Sequence, residues 1–183
     1  MAQNPSDHTP TLIPLEQIDP AMIETVLDRA FGPDRHKRTA YKAREGMDWL
    51  PALSFAALDH DDMLVGTIQV WPVGLTDSEG RQHPMLMVGP VAVLPERQNE
   101  GFGQALMLAM LAALDERAPL PQVMIGDPDY YGRFFGFTAE PTRGWTLPGP
   151  WEPERLLVRC ANPAVLPREA SLGPWRGHLA KQG

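Results

Sequence analysis

The stretch from His83 to Asp127 constrains the fold more than any other part of the chain. HPMLMVGPVAVLP (His83–Pro95) is mostly apolar and reads as one long strand. A helix follows from about Gly101 to Arg117, where Leu106, Met110, Leu111 and Leu114 recur at spacings of three and four and make one apolar face. QVMIGD (Gln122–Asp127) is short and apolar on both sides, as a buried parallel strand is. Strand, helix and strand in that order form a crossover, and a crossover lays its two strands parallel.

The other segments predict antiparallel pairing around that unit. TLIPLEQ (Thr11–Gln17) reads as a short first strand. Asp19-Pro20 is a helix start, with the aspartate as cap and proline in the first turn. Met22, Ile23, Val26, Leu27 and Ala30 give that helix an apolar face, and Gly32-Pro33 ends it. The polar, basic stretch from Arg35 to Arg44 predicts a second, more exposed helix. Leu53–Leu58 and Met63–Trp71 predict the strands of a hairpin, and Asp77–Gly80 the next turn. DYYGRFF predicts one or two helical turns and Leu156–Cys160 a closing strand, while the proline-rich region from Pro141 to Pro174 is expected to be loop-heavy. The fold class is therefore α/β, mixed, with one parallel pair.

The chain has 183 residues, 43% of them apolar, which fits one domain with a substantial core. A net charge of −7 argues against nucleic acid or an anionic membrane as partner, because both need a cationic face. Cys160 is the single cysteine, which excludes an intramolecular disulfide and a multi-cysteine metal site. The start, MAQNPSDHTP, lacks the charged and apolar regions of a signal peptide, and no run approaches the length of a membrane helix. A soluble, cytoplasmic protein is the expectation, with homodimerisation left open.

Between strand and helix lies PERQNEGFGQAL (Pro95–Leu106), with Gly101 and Gly103 two positions apart. The first turn of a helix leaves its backbone N–H groups unpaired, and the helix dipole adds partial positive charge there. Bare glycines let an anion approach those amides, so Gln-x-x-Gly-x-Gly from Gln98 to Gly103 is a candidate pyrophosphate cradle. In that role the Glu100 side chain has to point away from the anion. A tight strand–helix corner without a ligand explains the same residues. The spacing is neither the dinucleotide-binding G-x-G-x-x-G nor a P-loop with its Lys-Ser/Thr, so those nucleotide readings lose support.

VAVLPERQNEGFGQAL (Val91–Leu106) resembles the acetyl-CoA-binding motif of the GNAT N-acetyltransferase superfamily, a strand and V-x-P followed by Gln/Arg-x-x-Gly-x-Gly/Ala at a helix start. Further on, GDPDYYGRFFGF (Gly126–Phe137) is similar to that superfamily's short tyrosine-bearing helix ending in Gly-Phe, in the form found in a branch of predicted bacterial N-acetyltransferases. The resemblance covers about Leu12 to Cys160. It implies a central, mostly antiparallel sheet with one parallel pair splayed around an acetyl-CoA site, and helices on both faces. A domain over residues 1–160 with a tail from 161 to 183 follows from it.

The resemblance also implies a division of labour. Backbone groups of the Val91-Ala92-Val93 segment, those of Val91 and Val93 above all, would bind the pantetheine arm. The amides of Gln98, Asn99, Glu100, Gly101, Phe102, Gly103 and Gln104 would hold the pyrophosphate. Tyr131 or Tyr130 would protonate the departing thiolate, a phenol with a pKa of about 10 serving a thiol of about 8.5. The usual Tyr-x-x-x-Gly-Phe has one residue more here between Tyr131 and Gly136, which turns a helix by about 100 degrees. Either Phe134-Phe135 bulges or the tyrosines are re-aimed, and both tyrosines serving only in packing is a third reading.

An attacking amine must be neutral, which calls for a base or a water chain. Asp127, at the end of the short strand, is the candidate base, although a turn cap is the plainer reading of Asp-Pro-Asp. His83, His60 and His36 read as surface residues, no two histidines are spaced as metal ligands, and no metal is expected. Trp49, Trp71, Trp145 and Trp151 read as core or rim. Arg35, His36, Lys37, Arg38, Lys42 and Arg44 read as a solvated helix face. The function this implies is acetyl-CoA-dependent N-acetylation of a small-molecule or peptide amine, without a covalent enzyme intermediate. The alternative is a non-catalytic acyl-CoA-binding or regulatory module.

Overall fold

The computed structural model describes residues 9–114 and 119–177, so the end of the expected long helix, at Arg117, lies outside the described residues. In chain order the elements are β1 (Thr11–Pro14), α1 (Pro20–Phe31), α2 (Thr39–Ala43), β2 (Phe55–Leu58), β3 (Leu64–Asp77), β4 (Gln82–Val93), α3 (Phe102–Ala113), β5 (Gln122–Ile125), α4 (Pro128–Phe135), β6 (Gly144–Thr146), β7 (Leu156–Arg159) and β8 (Glu169–Pro174). The architecture is mixed α/β with mostly antiparallel pairing. Residues 1–33, 51–69 and 90–114 make one compact unit, and residues 34–50, 70–89 and 115–183 make another. The long strands β3 and β4 run from one unit into the other.

In the first unit β1 pairs antiparallel with β2, and β2 with β3 from Phe55↔Ile68 onward, with a register shift between Ala57 and Leu58. Helix α1 starts where its sequence signals, with the Asp19 carboxylate accepting from the Ala21 amide at 2.9 Å, and stops at Gly32. Its buried side chains are Ile23, Val26 and Leu27. Helix α3 packs on β1 and β2. It buries Phe102, Leu106, Met107 and Met110, whereas Leu111 and Leu114 of the expected face are only half-buried.

In the second unit the crossover expectation holds: β4 and β5 are parallel, through Leu86↔Gln122 and Met87↔Val123. That ladder is two residue pairs long, while the whole of β5 pairs antiparallel with β7, from Gln122↔Arg159 to Ile125↔Leu156. The proline-rich region holds more structure than its composition predicts. β8 pairs antiparallel with β3 over Val73–Asp77 and parallel with the short β6. Ala170 and Leu172 alternate with exposed Glu169 and Ser171, a strand pattern hidden among prolines. The core gathers Val73, Leu75, Met87, Val123, Trp145, Leu156 and Leu172. The Trp145 indole N–H donates to the Pro167 carbonyl at 2.9 Å, so the ring is buried without an orphaned donor. Among the described residues no helix is long and apolar enough to cross a membrane.

The basic stretch departs from expectation. It forms a 3₁₀ turn (Pro33–Lys37) and the single-turn α2, and Arg35 and Arg44 are 2% and 5% exposed. The Arg44 guanidinium lies 3.9 Å from the Trp71 ring and 4.2 Å from that of Tyr41. It donates to the Gly89 carbonyl at 3.3 Å, and Arg35 donates to the Tyr41 hydroxyl at 2.6 Å. A guanidinium is weakly hydrated and stacks on aromatic faces, so these two positions are buried where lysine would stay in water.

The turn between β3 and β4 carries an acid-sensitive contact. The Asp77 carboxylate accepts from His83 Nε2 at 2.9 Å, from Arg81 Nε at 3.1 Å and from the Glu79 and Arg81 amides. The hydrogen bond to His83 above all holds its carboxyl down to about 2, against a cost from burial. A depressed carboxylate contributes stability above its unfolded value near 3.8, and the contribution is lost as pH falls through about 2. Thermal melts between pH 5 and 2 are therefore expected to fall more steeply for the wild type than for Asp77→Asn.

Candidate active site

In the first unit Val91, Ala92 and Val93 form the end of β4. Ala92 is fully buried and its two neighbours are half-exposed. The chain then passes through a 3₁₀ turn (Pro95–Arg97) to Gln98–Gln104 and the first turn of α3. Asn99 and Gly101 both take left-handed conformations, at φ 67 and 88. Gly101 is the N-cap of α3, and no side chain caps the helix there. The first helical hydrogen bond is that of the Ala105 amide to the Gly101 carbonyl, at 3.0 Å. The amides of Phe102, Gly103 and Gln104 precede it and point out of the helix end, as N-terminal amides must. A Cβ on Gly103 would find only Val93 Cγ2 within 4 Å, at 3.9 Å. The packing of the chain does not demand glycine there.

Glu100 is kept from those amides by a brace. Arg97 Nε donates to its carboxylate at 2.7 Å, and Arg97 Nη1 donates to Asp59 Oδ2 at 2.6 Å. Asp59 also accepts from the Asp61 and Met63 amides. The Met63 amide first, then Arg97, hold the Asp59 carboxyl below its usual range. Glu96 faces away, to Arg29 at 2.6 Å. The Asp59–Arg97 contact joins residues 38 positions apart and has no signature in either local sequence. Among the described residues Asp59, His60 and Asp61 are the one group with metal-ligand atoms close together, and Asp59 is already engaged by Arg97.

In the second unit Asp127, Tyr130 and Tyr131 come together on α4. Asp127 is the N-cap, its Oδ1 accepting from the Asp129 amide at 3.0 Å, so the plainer reading of that residue describes one of its oxygens. The extra residue before Gly136 lengthens the helix rather than breaking it. The Tyr131 amide bonds the Asp127 carbonyl at 2.9 Å, and Gly136 closes the helix in a left-handed conformation. Phe134 is turned outward, 51% exposed, while Phe135 is buried. The Tyr130 and Tyr131 rings meet edge to face at 4.9 Å, with Phe135 and Phe137 also near Tyr131. Burial first, then Tyr130 and Asp127, push the Tyr131 hydroxyl up to about 12, with Arg155 opposing. It carries its proton at any physiological pH.

Sequence reasoning did not place Arg44, Tyr41 and Trp71 together, since each looks unremarkable in its own segment. Trp71 Nε1 and Arg44 Nη1 both donate to the Gly89 carbonyl, at 2.8 and 3.3 Å, two residues past the last β4–β5 pair.

The model of the acetyltransferase (GNAT) domain family matches residues 20–139. Among solved structures, the chain is similar to the GNAT family N-acetyltransferase YhbS from Escherichia coli, crystallised in complex with CoA. The identity is 22% and the TM-score 0.69, over 100% of this chain and 98% of that one. It is also similar to a GNAT family acetyltransferase from Brucella melitensis in complex with acetyl-CoA, at 29% identity and TM-score 0.52, over 84% of this chain and 97% of that one. A search of curated proteins found no match. The family model covers well over half of the sequence and the folds agree, and the chain belongs to the GNAT acetyltransferase family.

Proposed function

We propose that this protein uses acetyl-CoA to acetylate a primary amine by direct attack in a ternary complex. The observation that carries the reading is the uncapped start of α3, with left-handed Gly101 and a Gly103 that the chain's own packing does not require. Diphosphate oxygens suit the amides of Gln98–Gln104, where the dipole favours negative charge. The backbone of Val91 and Val93 takes the pantetheine arm. The complexes of the E. coli and B. melitensis proteins with CoA and acetyl-CoA support the choice of co-substrate.

In the reaction the amine nitrogen forms a bond to the acetyl carbonyl carbon and the carbon–sulfur bond breaks. The electron pair goes to sulfur, which takes a proton from the Tyr131 hydroxyl. Tyr131 is chosen over Tyr130 because its ring lies against Gly126 at the end of β5. The incoming ammonium gives one proton to the free oxygen of Asp127 before it attacks. The nitrogen loses its second surplus proton to solvent once the new bond has formed, and the tyrosinate regains a proton from solvent. Asp127 keeps Oδ1 on the Asp129 amide and offers its other oxygen to the incoming ammonium.

The test is turnover of acetyl-CoA with a panel of amines, beside calorimetric titration of acetyl-CoA. Binding with acetylation of at least one amine is expected. Binding without turnover of any amine would favour the acyl-CoA-binding module, and no binding would end both readings. Asp127→Asn preserves the cap, since asparagine caps as well as aspartate. It is expected to lower kcat while the melting temperature holds; an unchanged kcat would leave Asp127 as a cap alone.

A further inference from the structure

We propose that Gly126 is a positioning residue for Tyr131, its bare α-carbon forming the seat on which the phenol ring rests. The inference rests on the assignment of Tyr131 as the acid. A Cβ on Gly126 would lie 2.7 Å from Tyr131 Cε2 and 2.8 Å from Cδ2, with Met124 Cε next at 3.4 Å. Backbone conformation does not call for glycine here, because Gly126 is not among the residues with positive φ. The ring is what excludes a side chain. The seat itself is fixed: the Gly126 amide donates to the Arg155 carbonyl at 2.9 Å, and β5 just before it is paired along its length with β7. The next residue, Asp127, caps α4, so a single short turn joins the seat to the tyrosine that occupies it. The rings of Tyr130 and Phe137 also pack near that of Tyr131, with centroids 4.9 and 6.4 Å from its own. A methyl group at Gly126 has to push the ring out of its present position among these neighbours, and the hydroxyl at its far end moves with it.

The experiment is a double-mutant cycle of Gly126→Ala and Tyr131→Phe, read as kcat and as KM for acetyl-CoA. Gly126→Ala is expected to lower kcat about tenfold with KM unchanged, since small misplacements of reacting groups cost rate before they cost binding. In the Tyr131→Phe background it should lower kcat no further, because there is no proton donor left to misplace. Full kcat in Gly126→Ala, or the same loss in both backgrounds, overturns the inference. Wild-type kcat in Tyr131→Phe alone removes the acid assignment itself and this inference with it. Should Gly126→Ala fail to fold, Gly126→Ala/Tyr131→Ala decides: restored folding supports the seat, and a double variant that stays unfolded overturns it.

Discussion

Gly103→Glu is expected to raise the dissociation constant for acetyl-CoA about 100-fold, close to 2.7 kcal/mol, without lowering the melting temperature. The two effects have opposite signs for one physical reason. The first turn of α3 has outward amides, no side-chain cap and no acidic residue. A glutamate at Gly103 brings its own negative charge to that dipole, which stabilises a helix by about 0.3–1 kcal/mol. It also replaces a poor helix former, worth up to about 1 kcal/mol. The new Cβ meets no crowding, since Val93 Cγ2 lies 3.9 Å from it. In the proposed site the same carboxylate would stand at the diphosphate's place and repel it. Calorimetry with acetyl-CoA and a thermal melt on the same sample test both halves. A variant that binds as tightly as the wild type would reduce the corner to a turn between strand and helix.

Tyr131→Phe is expected to lower kcat about 100-fold or more, with KM for acetyl-CoA nearly unchanged. The ring remains to fill its place on Gly126, and only the transferable proton is lost. The pH dependence carries a second check. A phenol pushed up to about 12 by burial stays protonated well above neutrality, so it places no falling limb on the wild-type profile below about pH 10. Any limb seen near pH 8 or 9 belongs to another group and has to persist in Tyr131→Phe. The stability sign agrees: a raised tyrosine contributes fully below its unfolded value near 10, and that contribution is lost as pH rises toward 12. Melting temperatures above pH 10 should therefore fall more steeply for the wild type than for Tyr131→Phe.

Much of the fold was legible because its causes are local. The start of α1 needs only Asp19, Pro20 and the amide of Ala21. The parallel pair follows from three consecutive apolar segments, and the extended glycine corner from residues within one turn of each other. Misreadings came where one element's character depends on another. Ala170 and Leu172 form a strand because β3 and β6 accept them, in a region whose prolines signal loops. Arg35 and Arg44 look like a solvated helix face until Tyr41 and Trp71 supply stacking surfaces.

The candidate site divides the same way. The sequence by itself determined that a strand hands over to a helix through Gln98–Gly103, that a tyrosine pair follows a short strand, and that the chain resembles one acetyltransferase family. Main-chain chemistry and periodicity act within a few residues, so they are written in contiguous letters. Only the tertiary structure decided that Arg97 ties Glu100 to Asp59, that Phe134 turns out while Phe135 turns in, and that the Tyr131 ring lies on Gly126. Those outcomes depend on which buried surface each side chain meets, and close packing settles that only when the whole chain has folded.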